Sequence, residues 1–224
     1  MVAKISENLL LVLYACSAFI CFVLGIVQWT RSSASQKDSR LGIFLLAGLV
    51  SVFLTLVFWE FTVDDTFISL RYARNLANGH GLVFNTVRDG APVEGYTNFL
   101  WVLLEAPLFW LDLSDNQVLV CVKLFGILFG FGSLIVTMRL SSQVSSDPRL
   151  ASLACLLLSC IPFLSFWAAG GLESSLYIFL IYAGIYFYIK ESRNKTIHIL
   201  SIVCLLLASL TRPEGLFFTV IFIS

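Results

Sequence analysis

Two adjacent carboxylates, Asp64 and Asp65, stand where a long apolar stretch gives way to an amphipathic one. One aspartate at a helix start is explained by capping and by the helix dipole. Two adjacent ones repel each other and are costly to desolvate at a membrane boundary, so a second task, catalysis or ligation, is open to them. Downstream, Arg71, Arg74, Asn75 and Asn78 fall on one arc at helical spacing, while Leu70, Tyr72, Ala73, Leu76 and Ala77 fill most of the rest. The pattern describes a solvated interfacial helix; it equally describes a platform whose guanidinium groups meet a lipid phosphate. Gly79 is expected to end that helix, and Gly81 to loosen an extended piece reaching Asn85.

Further polar groups recur close to apolar sequence. Glu94, Tyr96, Thr97 and Asn98 form a turn that enters the apolar run at Phe99. An aromatic ring beside amide and hydroxyl groups suits sugar binding, and loop capping accounts for the same residues. Gly170-Gly171-Leu172-Glu173 reads as a tight turn with an acid at its exit, and Arg212-Pro213-Glu214-Gly215 as a helix break with a local ion pair. Lys123 is placed to snorkel toward the outer surface, with a phosphate contact as the alternative. His80 fits a loop hydrogen bonder as well as a catalyst, and His198 looks incidental. No Walker loop, HExxH or GxSxG motif is present, so those enzyme classes find no support in the sequence.

The elements that must position these residues are membrane helices. Of 224 residues, 58% are hydrophobic and 12% charged, with mean hydropathy +0.91, too little charge to cover a soluble surface. The formal net charge of zero gives no hint of a nucleic-acid partner. Six runs are long enough to cross or nearly cross a bilayer: 9–29, 41–63, 117–138, 150–168, 172–189 and 197–211. A further apolar run begins at Leu216 and reaches Ser224, so the sequence reads as the front part of a longer chain. The run 99–111, interrupted by Glu105 and Pro107, is expected to lie at the interface without crossing. The basic loops 31–40, 139–149 and 190–195 then share the cytoplasmic side, and eleven of fourteen carboxylates fall opposite. On this topology the Asn194-Lys195-Thr196 sequon lies inside and is discounted. Segment 64–98, the turn at 170–173 and the break at 212–215 all emerge on one external face, as a single site assembled from loops requires. All six cysteines sit inside apolar runs without CxxC spacing and read as small buried hydrophobes.

Read together, Asp64-Asp65-Thr-Phe-Ile-Ser-Leu-Arg71-Tyr-Ala-Arg74-Asn75, Gly79-His80-Gly81-Leu-Val-Phe-Asn85 and Val93-Glu94-Gly95-Tyr96-Thr97-Asn98-Phe-Leu-Trp101 carry a resemblance. They resemble the first external loop of bacterial GT-C-class glycosyltransferases, in particular the terminal β-(1→2) arabinofuranosyltransferase family and its proteobacterial relatives. Gly171-Leu172-Glu173 and Thr211-Arg212-Pro213-Glu214-Gly215 resemble the next two motifs of that family, in order. The resemblance implies an all-α polytopic membrane protein, a GT-C-like helix bundle whose external first loop carries juxtamembrane helices. Residues 1–40 would supply an extra N-terminal helix and a basic loop, and 41–224 the front of the catalytic module. The extra helix and the shorter length are departures from the family pattern.

The implied reaction takes sugar from a polyprenyl-phosphate donor to a glycan or glycolipid acceptor, at the outer face of a bacterial cytoplasmic membrane. One carboxylate acts as general base on the acceptor hydroxyl while the polyprenyl phosphate leaves. By motif position Asp64 is the first choice for base, Asp65 supports it, and Glu173 binds acceptor. Arg71, Arg74 and Arg212 would stabilise charge on the leaving phosphate. Asn75, His80, Asn85, Glu94, Tyr96, Thr97, Asn98 and Glu214 complete the implied binding set. No cofactor is expected, with a divalent metal left open. Two other function classes compete: a small-molecule or lipid transporter, which tends to show internal repeats, broken helices and midplane charge where this sequence clusters its polar motifs at one face, and a non-catalytic assembly subunit.

Overall fold

The computed structural model describes residues 36–86, 95–145 and 147–223. The expected span 9–29, Cys16, Cys21 and the candidate Glu94 lie outside the described residues. Within them all regular structure is helical. In chain order the helices are α1 (Gln36–Val57), α2 (Asp64–Ala77), α3 (Phe99–Glu105), α4 (Asp115–Val144), α5 (Pro148–Ser159), α6 (Pro162–Gly170), α7 (Ser174–Asn194), α8 (Ile199–Thr211) and α9 (Gly215–Ile223), with a 3-10 turn, Ala106–Trp110, after α3.

Helix α4 is the backbone of the bundle. Ser114 and Gln117 close a capping box at its start, the Ser114 amide donating to Gln117 Oε1 at 2.9 Å. Val118, Val122, Gly126, Gly130 and Leu134 recur every fourth residue and face inward. Leu124, Leu128 and Ile135 on the outer side stay exposed. At 30 residues it is about 45 Å long, and among the described residues it alone is long and apolar enough to cross a membrane unaided. The glycines on its inner stripe permit a very close approach: a Cβ on Gly126 would lie 2.2 Å from the Ala168 carbonyl oxygen of α6.

Three expected spans differ in detail. The run 150–168 is not one helix but α5 and α6, bent by 53°. Pro162 lacks the N–H that would bond back one turn, and its ring excludes the helical carbonyl there, so the helix restarts. Helix α1 stops at Val57, and the chain to Val63 continues as turn and extended backbone instead of helix. Lys123 explains how that end is held: its ammonium donates to the carbonyls of Trp59 at 2.5 Å and Phe61 at 2.8 Å. The side chain is buried and turned inward, not snorkelled to the outer surface. The last of the three, 197–211, begins as helix only at Ile199.

Helices α4, α5–α6, α7 and α8 run alternately up and down through short links. The links 139–149 and 190–195 meet at one end, where the Arg193 guanidinium donates to the side chain and backbone carbonyl of Gln143. At that end Glu191 accepts the Leu200 amide at 2.9 Å and the Ser201 hydroxyl at 2.7 Å, capping α8 from outside. Burial works against its charge, but these bonds and nearby His198 hold the carboxyl below its ordinary pKa. His198, incidental in sequence, stacks on Tyr188. At the opposite end α2, α3, the α6–α7 turn and the end of α8 converge. The run 99–111 folds as α3 plus the 3-10 turn, twelve residues or about 20 Å of helix, too short to cross.

Candidate functional site

The α6–α7 turn is the anchor of that end. Gly171 has φ 85°, the left-handed conformation that closes α6, and a Cβ there would meet Thr66 Cγ2 at 2.8 Å. The carbonyl of Gly170 accepts the Val63 amide at 3.1 Å and the Thr66 hydroxyl at 2.9 Å, which pins the start of α2 to the turn. The Trp101 indole donates to the Gly171 carbonyl at 3.2 Å and ties α3 to the same point.

Asn98 then joins the pieces. Its amide donates at 2.9 Å to Ser69 Oγ and at 2.9 Å to Glu173 Oε2. The Tyr72 hydroxyl accepts the Gly95 amide at 2.9 Å, and its ring packs on Tyr96 at 4.5 Å, which holds the entry to α3. Arg212 closes the arrangement from the end of α8, its Nε 3.6 Å from Glu173 and 3.8 Å from Glu214. Among the described residues its guanidinium makes these ion pairs and no hydrogen bond. Between these elements lies an open cleft of about 320 Å³, lined among others by Asp65, Tyr96, Thr97, Asn98, Glu173 and Arg212. Two carboxylates against one guanidinium leave it formally negative.

Six expected site residues therefore meet in one place. The other expected residues that are described do not line the cleft. Asp64 opens onto a shallower hollow with Phe61, Thr62 and Val63, beside Asp65 but not in the cleft. Neither aspartate caps α2: Val63 is the N-cap, and both carboxylates sit exposed in the first turn. Arg71 and Arg74 line a separate groove of about 420 Å³ with Phe67, Leu70, Phe109 and Val118. Both are engaged there. Arg71 donates to the Phe84 carbonyl at 2.8 Å and to Asn85 Oδ1 at 2.9 Å, and Arg74 pairs with Asp115 over the Phe109 ring. Asn75 is buried and fastens the following loop through the Val83 carbonyl at 2.7 Å. His80 is exposed at the end of α2, and Glu214 is exposed outside the cleft.

Sequence reasoning missed four residues here. Ser69 was findable, since it lies one turn from Asp65 on the same face. Trp167 and Ser174 line the cleft from inside or beside apolar runs and gave no signal. Glu105 was visible only as an interruption of 99–111, yet it is fully buried, and its carboxyl oxygens have no hydrogen-bond partner. Burial first, and the charge of Glu173 second, push its carboxyl well above the ordinary value, while the Trp101 indole works the other way. Among the described residues no three His, Cys, Asp or Glu side chains gather as a metal-holding cluster. Against protein-family models, curated proteins and solved structures, the chain matches none.

Proposed function

We propose that this chain is a multi-pass membrane glycosyltransferase of GT-C type, moving sugar from a polyprenyl-phosphate donor to a cell-envelope glycan or lipid acceptor on the external face. The observation that carries the reading is the meeting of Asp65, the Tyr96-Thr97-Asn98 turn, Glu173 and Arg212, from four separate segments, in one open cleft at one end of the bundle. The cleft suits the reaction in its parts. An exposed carboxylate serves as base, Tyr96 and Trp167 offer ring faces to a sugar, and the Arg212 guanidinium, held among the described residues by ion pairs alone, is available to a leaving phosphate.

The assignment of roles shifts with the geometry. Asp65, not Asp64, lines the cleft, so Asp65 becomes the preferred base and Asp64 its neighbour. Arg212 becomes the preferred phosphate ligand, because Arg71 and Arg74 already hold Asn85 and Asp115 on the other face of α2. The test is a transfer assay on the full chain with polyprenyl-phosphate sugars. Asp65→Asn is expected to lose roughly 10²- to 10⁴-fold in turnover, with Asp64→Asn close to wild type. The reverse pattern returns the base to Asp64, and wild-type protein inert toward every such donor overturns the reading. Transport has one observation in its favour, the bent α5–α6 pair. Sugar uptake into proteoliposomes without transfer would establish it instead.

A further inference from the structure

Glu105 sits two turns into α3, below the cleft that Asn98 opens at the head of the same helix. It is 0% exposed and both carboxyl oxygens lack hydrogen-bond partners. Trp101, one turn before it, aims its indole at the Gly171 carbonyl. A carboxylate in that position would be a buried, unpaired charge, which proteins avoid by keeping the group neutral. Glu173 differs in every respect: it accepts from Asn98, faces Arg212 and lines the cleft.

The charged groups around α3 leave Glu173 as the one that matters. On α2, Asp64, Asp65, Arg71 and Arg74 are exposed at the surface. On α4, Asp115 pairs with Arg74, and the Lys123 ammonium is turned to Trp59 and Phe61. Helix α8 contributes Cys204 and the 3-10 turn no titratable group. Arg212, after α8, is engaged by Glu173. Tyr177 lies one turn into α7, behind Glu173. Among the described residues, the Glu173 charge is the one that works against ionisation of Glu105.

We propose that Glu105, buried without a partner beneath the cleft, is held as the neutral acid, so that the carboxylate bonded to Asn98 and facing Arg212 meets no second charge from below. A carboxyl taken out of water without a hydrogen-bond partner keeps its proton, and the negative charge of Glu173 adds to that preference. Glu105 is thereby a positioning residue. Its neutrality keeps Glu173 bonded to Asn98 and paired with Arg212, and ionising it at alkaline pH would set two like charges against each other there. This goes beyond sugar transfer and holds whatever chemistry the cleft serves, because the measurements read a proton and not turnover.

The experiment is infrared spectroscopy of the full chain in lipid nanodiscs, with glutamate carbon-13-labelled at the side-chain carboxyl. A protonated-carboxyl C=O stretch is expected at neutral pH, absent from Glu105→Gln. In Glu173→Gln the band should vanish at lower pH than in wild type, since removing the repelling charge favours ionisation of Glu105.

 An unchanged or higher midpoint in Glu173→Gln overturns the role given to the Glu173 charge, and no protonated band at neutral pH overturns the proposal as a whole.

Thermal unfolding supplies a second readout. A carboxyl whose folded pKa is raised contributes stability that is fully present below its unfolded value and is lost as pH rises through the folded one. Wild-type melting temperature is therefore expected to fall over that window, with the fall reduced in Glu105→Gln and the variant at least as stable at neutral pH. A Glu105→Gln protein that melts lower than wild type at neutral pH would make Glu105 a charged structural anchor and overturn the proposal.

Discussion

Asn98 shows how one side chain can assemble a site. Its single amide group bridges Ser69 on α2 and Glu173 at the head of α7, residues that no local pattern connects. Asn98→Ala leaves the Glu173 carboxylate without that donor. Hydrogen bonds to charged groups are worth about 1.5–3 kcal/mol, and a loss of that order is expected in denaturant unfolding. Asn98→Asp should be worse than Ala, because it sets a second carboxylate against Glu173. Gly171 is the other residue with little freedom. At φ 85° any side chain is strained, and the Cβ would also press on Thr66 at 2.8 Å. Gly171→Ala is expected to destabilise by at least about 1–2 kcal/mol, read as a lowered melting temperature.

At the scale of elements, the closest contact is α4 against α6. Gly126 brings the two backbones so near that even a methyl group would overlap the Ala168 carbonyl, and backbone cannot swing aside as a side chain can. Gly126→Ala should cost about 1–3 kcal/mol or more, by overpacking. Gly130→Ala, whose Cβ would meet only the Ala168 Cβ at 3.9 Å, should be nearly silent. Comparing the two in thermal unfolding separates close packing from helix propensity, which would favour both alanines equally. Lys123 acts between elements as well, gathering the carbonyls at the end of α1. Lys123→Met keeps the stem but leaves those carbonyls without their donor, so it should lower stability while sparing helix content in circular dichroism.

For the whole molecule, the links 139–149 and 190–195 meet at one end, opposite the cleft. The membrane arrangement proposed above makes Asn85 external and Ser145 cytoplasmic. Single cysteines at these positions in a cysteine-free background should react with an impermeant reagent in intact cells at Asn85 and not at Ser145. Labelling at Ser145 but not Asn85 would invert the orientation, and the same outcome at both positions would overturn the single crossing placed between them.

Local sequence determined the helices, because their signals are local: apolar runs, Gly79 and Gly171 in left-handed conformations, and Pro162 at a helix start. It also set Arg71 and Arg74 on one arc, since helical periodicity fixes the angle between residues of the same helix. Periodicity does not say which neighbour an arc will face. That is why Asp65 rather than Asp64 lines the cleft, and why the two arginines look onto a different groove, only once α2 is pinned to the α6–α7 turn. The pin is the bond from Thr66 to Gly170, across 104 positions of sequence, and the clamp from Asn98 to Glu173 spans 75. Glu105 belongs to the same class. Its residue type is plain in the sequence, but burial without a partner is a property of everything packed around it, and only the tertiary structure decides that.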